Sequence, residues 1–165
     1  CIPGPCAAIT ALVSSGFPSS KFVFEGFLPK KKKEREKILF EISKNEKTTI
    51  VYESPHRLKK LLKELLEFCG SDREIVVARE LTKKFEEHVG NNIENAIKFF
   101  KDKEVVGEIT IVIKGIYKEK NQQANMSDLK RDLIELTSAG LTLSAASKYL
   151  AKKYGIKKNI IYNLN

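Results

Sequence analysis

Along the first 116 residues, the spacing of hydrophobic positions alternates between strand-like runs and helical periodicity. Runs rich in β-branched and aromatic residues, which are typical of strands, occupy residues 22–26, 48–52, 74–78, 85–89 and 108–113. Between them, apolar residues recur at helical spacing over residues 6–15, 30–43, 54–70 and 93–101. Because strands alternate with helices, this pattern predicts an α/β fold. Residues 74–89 leave no room for a crossover helix, so we expect a mixed sheet.

The end of the chain has helical periodicity and no strand-like runs. After the polar residues 118–125, the spacing predicts helices over 128–138, 143–154 and 158–164. We therefore predict an α/β domain over 1–116, a linker over 117–127 and a small all-α appendage over 128–165. In a helix-turn-helix unit an alanine packs where two helices cross, and a glycine follows four residues later. That register is matched by Leu150, Ala151, Tyr154, Gly155, Ile156, Ile161 and Leu164.

The positive charge of the chain is concentrated in two segments. The chain has 165 residues and a formal net charge of +9. Residues 30–47 carry +4 and residues 117–165 carry +5, whereas the other segments are neutral. A basic loop and a basic tail favour an anionic partner such as nucleic acid. From the charge alone, a general gain in solubility is as good an explanation as an anionic partner.

Composition narrows the class of protein further. No apolar run approaches the roughly 18–20 residues that span a bilayer, so we expect no transmembrane segment. The three cysteines, Cys1, Cys6 and Cys69, are odd in number and lack metal-ligand spacing. We therefore expect no metal site and a reduced, cytoplasmic setting.

Polar side chains follow a buried strand at the first of three junctions, and α/β folds gather catalytic residues at such carboxyl ends. Glu53 ends the strand, and Ser54 and Pro55 are typical of a helix start. His56 and Arg57 fall in the first helical turn, where a cation opposes the helix dipole. This placement suggests an anionic ligand, and an ordinary helix start with solvated side chains is the alternative.

The other two junctions are also polar. Arg79, Glu80 and Lys83 place a bidentate phosphate binder, a potential base and a point charge within one turn. A surface salt-bridge cluster is the alternative interpretation there. Gly107 and Glu108 lead into the last strand, and glycine allows a ligand to approach the backbone closely. A simple tight turn explains the Gly107 position equally well.

Five stretches of the chain occur in the same order in one enzyme family. They are residues 3–12 (PGPCAAITAL), 24–29 (FEGFLP), 52–58 (YESPHRL), 78–83 (ARELTK) and 107–108 (GE). On these motifs the chain resembles the RsmI family of bacterial small-subunit rRNA (cytidine-2′-O)-methyltransferases. That family belongs to the tetrapyrrole-methylase-like (class III) methyltransferase superfamily. The resemblance covers essentially the whole chain, including the helical tail.

The resemblance implies a function and an architecture. It implies S-adenosylmethionine-dependent methylation of a cytidine 2′-hydroxyl in the decoding centre of small-subunit rRNA. It also implies a cytoplasmic homodimer that acts on rRNA or on the assembled small subunit. The family's cofactor lies between two α/β domains, and its N-terminal domain is absent from this chain. We therefore expect a C-terminal part that is inactive alone.

Site residues can be assigned from the motifs. The resemblance implies that the cofactor contacts Pro3, Gly4, Pro5, Cys6, Ala7, Tyr52, Glu53, Glu108, Ile109 and Thr110. Our candidates for the catalytic base are Glu80 or Glu53, with Lys83 at a lowered pKa as the alternative. Arg79 and Arg57 would hold phosphates, and His56 would orient the substrate. RNA binding is expected of Lys30, Lys31, Lys32, Lys33, Arg35, His56, Arg57, Lys157 and Lys158.

Two other functions fit parts of the sequence. A tetrapyrrole- or corrin-type methyltransferase would have the same fold, but a small macrocycle requires neither basic segments nor a helical tail. A helix-turn-helix regulator that binds nucleic acid would explain the tail. It would leave the polar strand ends at residues 52–57 and 78–83 without a role.

Overall fold

The computed structural model describes residues 1–116 and 126–164, and the chain divides into two compact units, Cys1–Tyr117 and Lys118–Asn165. The first unit is built on a five-stranded sheet with the order β1-β2-β5-β3-β4. Its strands are β1 (Phe22–Phe27), β2 (Thr48–Glu53), β3 (Ile75–Arg79), β4 (Glu87–Gly90) and β5 (Ile109–Ile113). Strand β1 is parallel to β2, and the remaining pairs are antiparallel. The predicted mixed α/β sheet is confirmed.

Helices cover the two faces of this sheet unequally. One face packs against α2 (Lys32–Lys44), α3 (Pro55–Cys69) and α4 (Ile93–Phe100). The leucines of α3 recur at helical spacing, and Leu58, Leu61, Leu62 and Leu65 are buried there, whereas Leu66 is partly exposed. Among the described helices of the first unit, only α1 (Ala7–Ser15) covers the other face, where it packs on Ile50 and Val112. The larger hydrophobic core therefore lies beneath α2, α3 and α4.

The second unit contains three helices within residues 126–164: α5 (Met126–Ser138), α6 (Leu143–Tyr154) and α7 (Lys158–Tyr162). Its core consists of Leu129, Leu133, Ala146, Leu150 and Ile161. Gly155 ends α6 in the left-handed conformation (φ 65°), as its place in the turn of the predicted register requires. The buried alanine of α6 is Ala146, whereas Ala151 is only partly buried.

A linker was predicted over residues 117–127. The predicted linker lies outside the described residues from 117 to 125, and Met126 and Ser127 already belong to α5. None of the helices in the described parts of the chain is long and apolar enough to cross a membrane.

Candidate active site

The three polar junctions of the sequence meet at one edge of the sheet. Strand β5 runs antiparallel to both β2 and β3, so β1, β2 and β3 all point in the same direction. Glu53 at the end of β2 and Arg79 at the end of β3 are both paired with Ile109, the first residue of β5. The structure therefore brings together motifs that are separated by up to 55 positions in the sequence.

A cleft of about 390 Å³ opens at this edge. It is lined by Ala7, Phe27, Tyr52, Glu53, Ser54, Pro55, Gly107, Glu108, Ile109 and Thr110. Six of the ten residues predicted to contact a cofactor are among them, namely Ala7, Tyr52, Glu53, Glu108, Ile109 and Thr110. The lining does not include Pro3, Gly4, Pro5 or Cys6, which precede α1. A volume of this size is within the usual range for a small-molecule site.

Phe27 is a cleft residue that the site predictions missed. The pairing of β1 with β2 shifts by one residue between Phe24 and Gly26, and Gly26 has a positive φ of 62°. This bulge places Phe27 opposite Tyr52, with ring centroids 5.6 Å apart. Phe27 is 62% exposed and lines the cleft, so its ring is available to a ligand there. The signal in the sequence was its place at the end of a predicted strand on this edge.

Tyr52 joins the cleft to the start of helix α1. Its hydroxyl oxygen accepts a hydrogen bond from the backbone N–H of Ala8 at 3.1 Å. Burial raises the pKa of the Tyr52 hydroxyl above its ordinary value, so the group stays protonated at neutral pH. Cys6 is exposed at the N-terminus of α1, and hydrogen bonds from the backbone N–H groups of Ile9 and Ala8 lower the pKa of its thiol.

Glu53 is not free to act as a base, which corrects the sequence-based prediction. Its side chain is fully buried, with one oxygen 2.7 Å from Arg57 and the other 3.4 Å from Arg35. The backbone N–H of Ser54 donates to the same oxygen that Arg57 contacts, at 2.8 Å. Because both oxygens are bound to cations, we assign Glu53 to fixing the wall of the cleft.

Arg35 does not belong to an RNA-binding surface, and this prediction is also corrected. Its side chain is only 7% exposed and lies between the carboxylates of Glu53 and Glu64, with N–O distances of 3.4 and 2.7 Å. The sequence placed it within a basic run, where its charge looked available. In the fold it neutralises buried carboxylates, because a buried charge is stable only when paired.

Glu80 forms a different kind of cluster beside the cleft. Its Oε1 accepts hydrogen bonds from Lys83 Nζ at 2.9 Å and from the backbone N–H of Glu108 at 2.8 Å. These donors lower the pKa of Glu80, with the Lys83 bond as the largest cause. Oε2 of Glu80 accepts none of the hydrogen bonds found among the described residues. Glu80 therefore carries an ionised carboxylate with one open oxygen.

The pKa of Lys83 is shifted in the opposite direction to the one predicted. Its ammonium group contacts Glu80 at 2.9 Å and Glu108 at 3.1 Å. These two hydrogen bonds raise the pKa of Lys83 above its ordinary value, so a neutral lysine base is excluded at neutral pH. The prediction of a lowered pKa was wrong because it did not include the contacts with Glu80, the larger cause, and with Glu108.

Gly107 makes this cluster possible. It has a φ of 92°, and a Cβ added there would lie 2.6 Å from the side chain of Glu80. Glu80 itself has a positive φ of 52°, which is uncommon for a residue with a side chain. Strained residues of this kind cluster at functional sites. The close approach of Glu80 therefore explains why glycine occupies position 107.

The predicted cationic residues differ in how accessible they are. Arg79 is engaged with Glu87 at 3.1 Å and with the carbonyl oxygen of Val106 at 3.3 Å. His56 is exposed in the first turn of α3. Lys31 and Lys32 form exposed ion pairs with acidic residues of the next turn of α2, whereas Lys30 and Lys33 form none among the described residues. The remaining candidates, Lys157 and Lys158, are exposed residues of the second unit.

An α/β sheet with a cleft of this size at the carboxyl ends of its strands is the arrangement of a ligand-binding enzyme domain. Residues 1–97 match the family described as Tetrapyrrole (Corrin/Porphyrin) Methylases. The chain belongs to this family.

Curated relatives agree with the resemblance seen in the five motifs. A protein from Synechocystis named "Ribosomal RNA small subunit methyltransferase I" is 39% identical over 164 residues, which cover 99% of this chain and 59% of the relative. A protein of the same name from Vibrio cholerae is 42% identical over 163 residues, which cover 98% of this chain and 56% of the relative. The chain thus spans slightly more than half the length of these relatives.

Solved structures share the fold of the first unit. A cobalt precorrin-4 methyltransferase has a TM-score of 0.53 and 17% identity, with 68% of this chain and 50% of that chain covered. The methyltransferase CobJ has a TM-score of 0.51 and 19% identity, with 68% of this chain and 49% of that chain covered. At this level of identity the likeness concerns the fold alone.

Proposed function

We propose that this chain is part of an S-adenosylmethionine-dependent enzyme that methylates a cytidine 2′-hydroxyl in the decoding centre of small-subunit rRNA. The observation that carries the proposal is the convergence of three polar motifs around one cleft in a methylase fold. The names of relatives about 40% identical over nearly the whole chain support rRNA as the substrate. We propose that the chain forms the C-terminal part of a protein of the relatives' length.

The lining of the cleft fits S-adenosylmethionine. Ala7 is small and leaves room beside the backbone, and Thr110 offers a hydroxyl group. The rings of Phe27 and Tyr52 provide apolar and π surface for a purine or a sulfonium cation. When bound, the cofactor would supply an electrophilic methyl group. The cleft residues would hold it and exclude water from the reacting oxygen.

The residues around Glu80 provide the acid–base arrangement. Methyl transfer to a hydroxyl requires in-line approach, so positioning supplies much of the rate acceleration. The open Oε2 of Glu80 can accept the 2′-hydroxyl proton, while its Oε1 stays bound to Lys83 and to the Glu108 N–H. Lys83 holds this geometry as a cation. We therefore retain Glu80 as the base and assign Lys83 to positioning.

RNA would be held by cations that remain exposed, whether or not they contact a carboxylate of the chain. Lys30 and Lys33 follow the carboxyl end of β1, so they start from the same sheet edge as the cleft. Arg57 keeps 28% of its side chain exposed while it contacts Glu53. Such cations would supply the salt-dependent, sequence-independent part of RNA affinity.

We also propose that the enzyme is a cytoplasmic homodimer. Val13 on α1 and Phe24 on β1 are 71% and 50% exposed, on the sheet face that α1 covers only in part. Exposed apolar surface of this kind is typical of an interface. Light scattering on the longer protein should give twice the monomer mass, and a monomeric mass would contradict this part of the proposal.

A methylation assay tests the proposed function. The longer protein should transfer tritiated methyl groups to assembled small subunits, and this chain alone should not. Transfer to a precorrin instead of rRNA would favour the alternative that shares the fold with the precorrin-4 methyltransferase. RNA binding without any methyl transfer would favour the helix-turn-helix regulator.

A further inference from the structure

The cations of the second unit are divided between paired and unpaired groups. Lys153 lies 3.2 Å from Asp132, and Arg131 lies 3.5 Å from Asp128. By contrast, Lys148 and Lys152 on α6 have no carboxylate partner among residues 1–116 and 126–164. Lys157 and Lys158 have none either within the same residues. Four positive charges are therefore available on α6 and at the start of α7.

Helical geometry and one hydrogen bond place Lys148, Lys152 and Lys158 along one edge, and Lys157 adjoins Lys158 in the sequence. Ser144, Lys148 and Lys152 are four residues apart on α6, so they form a row on one side of the helix. Lys158 Nζ donates to Ser144 Oγ at 2.8 Å, which brings the first residue of α7 to the same row. Lys157 immediately precedes it. We call Lys148, Lys152, Lys157 and Lys158 the lysine row.

We propose that the lysine row is the surface by which the helical unit binds the sugar–phosphate backbone of RNA. This inference rests on the proposed function, which makes rRNA the partner, and it adds Lys148 and Lys152 to the predicted Lys157 and Lys158. Neighbours in such a row lie about 5–6 Å apart. Strongly hydrated point charges at this spacing suit successive phosphates rather than base edges.

The surroundings of the row favour RNA over a membrane surface. A helix that lies on a lipid bilayer needs an exposed apolar face opposite its charges. The apolar face of α6 is already covered, because Ala146 and Leu150 are fully buried in the core of the unit. Beside the row, α6 exposes the cation Lys153 and the ring of Tyr149, and cations next to an aromatic ring suit an RNA strand.

Salt dependence provides a quantitative test. The affinity of a protein for single-stranded RNA falls with salt with a slope of roughly −0.7 for each phosphate contact, and roughly −0.9 for a duplex. Removing Lys148 and Lys152 should therefore reduce the steepness of this slope by about 1.4 to 1.8. Neither side chain makes a hydrogen bond within the described residues, so the double variant should fold normally.

The experiment measures binding of a fluorescein-labelled decoding-centre rRNA hairpin by the chain Cys1–Asn165 at several salt concentrations. We expect Lys148→Gln/Lys152→Gln to bind roughly tenfold more weakly at low salt, with a shallower slope. Lys130→Gln/Arg131→Gln removes the same charge from exposed positions of α5 and should bind nearly as the wild type does. Thermal melts of both variants check that α5, α6 and α7 remain folded.

The outcomes separate this inference from the proposed function. Equal losses in the two double variants, or no loss in either, would overturn the lysine row while leaving the rRNA substrate in place. Failure of the wild-type chain to bind the hairpin would overturn the row and count against the rRNA substrate. Selective loss in the α6 variant, together with an absence of methyl transfer by the longer protein, would support the row and contradict the enzyme.

Discussion

Two glutamates flank strand β5 at the candidate active site, and their surroundings are opposite. Glu53 ends β2 in a fully buried position, with both carboxylate oxygens bound to arginines. Glu80 follows β3 with its side chain 18% exposed and with bonds to one oxygen only. The sequence offers both as equivalent candidate bases. From this difference we infer that Glu53, whose oxygens are both bound, serves structure, and we propose that Glu80, with one open oxygen, serves the chemistry.

The largest expected effect is a loss of folding stability when the charge of Glu53 is removed. Glu53→Gln leaves Arg57 beside a neutral amide and leaves Arg35 with Glu64 as its remaining carboxylate. Loss of one partner of a buried ion pair costs about 3–5 kcal/mol, and we expect the lower end because Glu64 stays in place. Urea unfolding of the chain measures this change. Glu41→Gln, which breaks an exposed pair with Lys37, is the matched control and should stay within about 0.5 kcal/mol of wild type. If both variants changed the free energy of unfolding by a similar, small amount, the structural role assigned to Glu53 would be wrong.

Replacing Glu80 should lower the rate of methyl transfer while the protein stays folded. In the longer protein, Glu80→Gln keeps an oxygen for the Glu108 N–H but can no longer accept a proton. We expect kcat to fall by roughly 10²- to 10⁴-fold, with RNA affinity unchanged. Glu104→Gln removes an exposed charge nearby and should keep the wild-type rate. If Glu80→Gln lost only RNA affinity, Glu80 would be a binding residue and the contrast with Glu53 would fail.

A smaller effect should follow from adding a methyl group at Gly107. In Gly107→Ala the new Cβ displaces the Glu80 side chain, and the positive φ adds strain, with a total cost of about 1–2 kcal/mol. Gly140→Ala has a similar φ of 97° but open space around it, so it isolates the strain. In a Glu80→Ala background, Gly107→Ala should cost no more than Gly140→Ala does. Costs that simply add would mean that Gly107 and Glu80 do not interact.

The smallest expected effect is on the pH at which Glu80 titrates. Lys83 and the Glu108 N–H hold the pKa of Glu80 below its ordinary value of 4.5. The stabilisation is therefore complete above that value and is lost as pH falls through the lowered pKa. Lys83→Met should move the titration of Glu80, followed by carbon NMR, back towards 4.5. Lys84→Met, which removes a neighbouring charge, should leave it in place, and equal shifts in both variants would refute the Lys83 contact.

Much of the fold was predictable from the sequence because it depends on local periodicity. The leucine stripe of α3 and the β-branched runs of β2 and β5 each define an element without reference to the rest of the chain. That Glu53 and Arg79 lie at strand ends was also predicted, whereas Glu108 precedes β5 and reaches the same edge because β5 runs antiparallel to β2 and β3.

The details of the site were not predictable, because they depend on contacts between distant residues. Arg35 reads as a surface cation until Glu53 and Glu64 are seen on either side of it. The raised pKa of Lys83 comes first from Glu80 and then from Glu108, which is 25 residues away in the sequence. Phe27 reached the cleft only through a one-residue bulge that no pattern of apolar positions indicates.

The central claim is that the cleft at this sheet edge holds S-adenosylmethionine, and calorimetric binding of the cofactor to the longer protein tests it most directly. Ala7 lines the cleft with an exposed side chain, so Ala7→Phe fills the cleft without disturbing the core. Ala139→Phe, at an exposed position after α5, is the control. We predict that Ala7→Phe weakens binding roughly 100-fold, or about 2.7 kcal/mol, while the control binds as wild type does. Undiminished binding by a folded Ala7→Phe protein would contradict the assignment of this cleft to the cofactor.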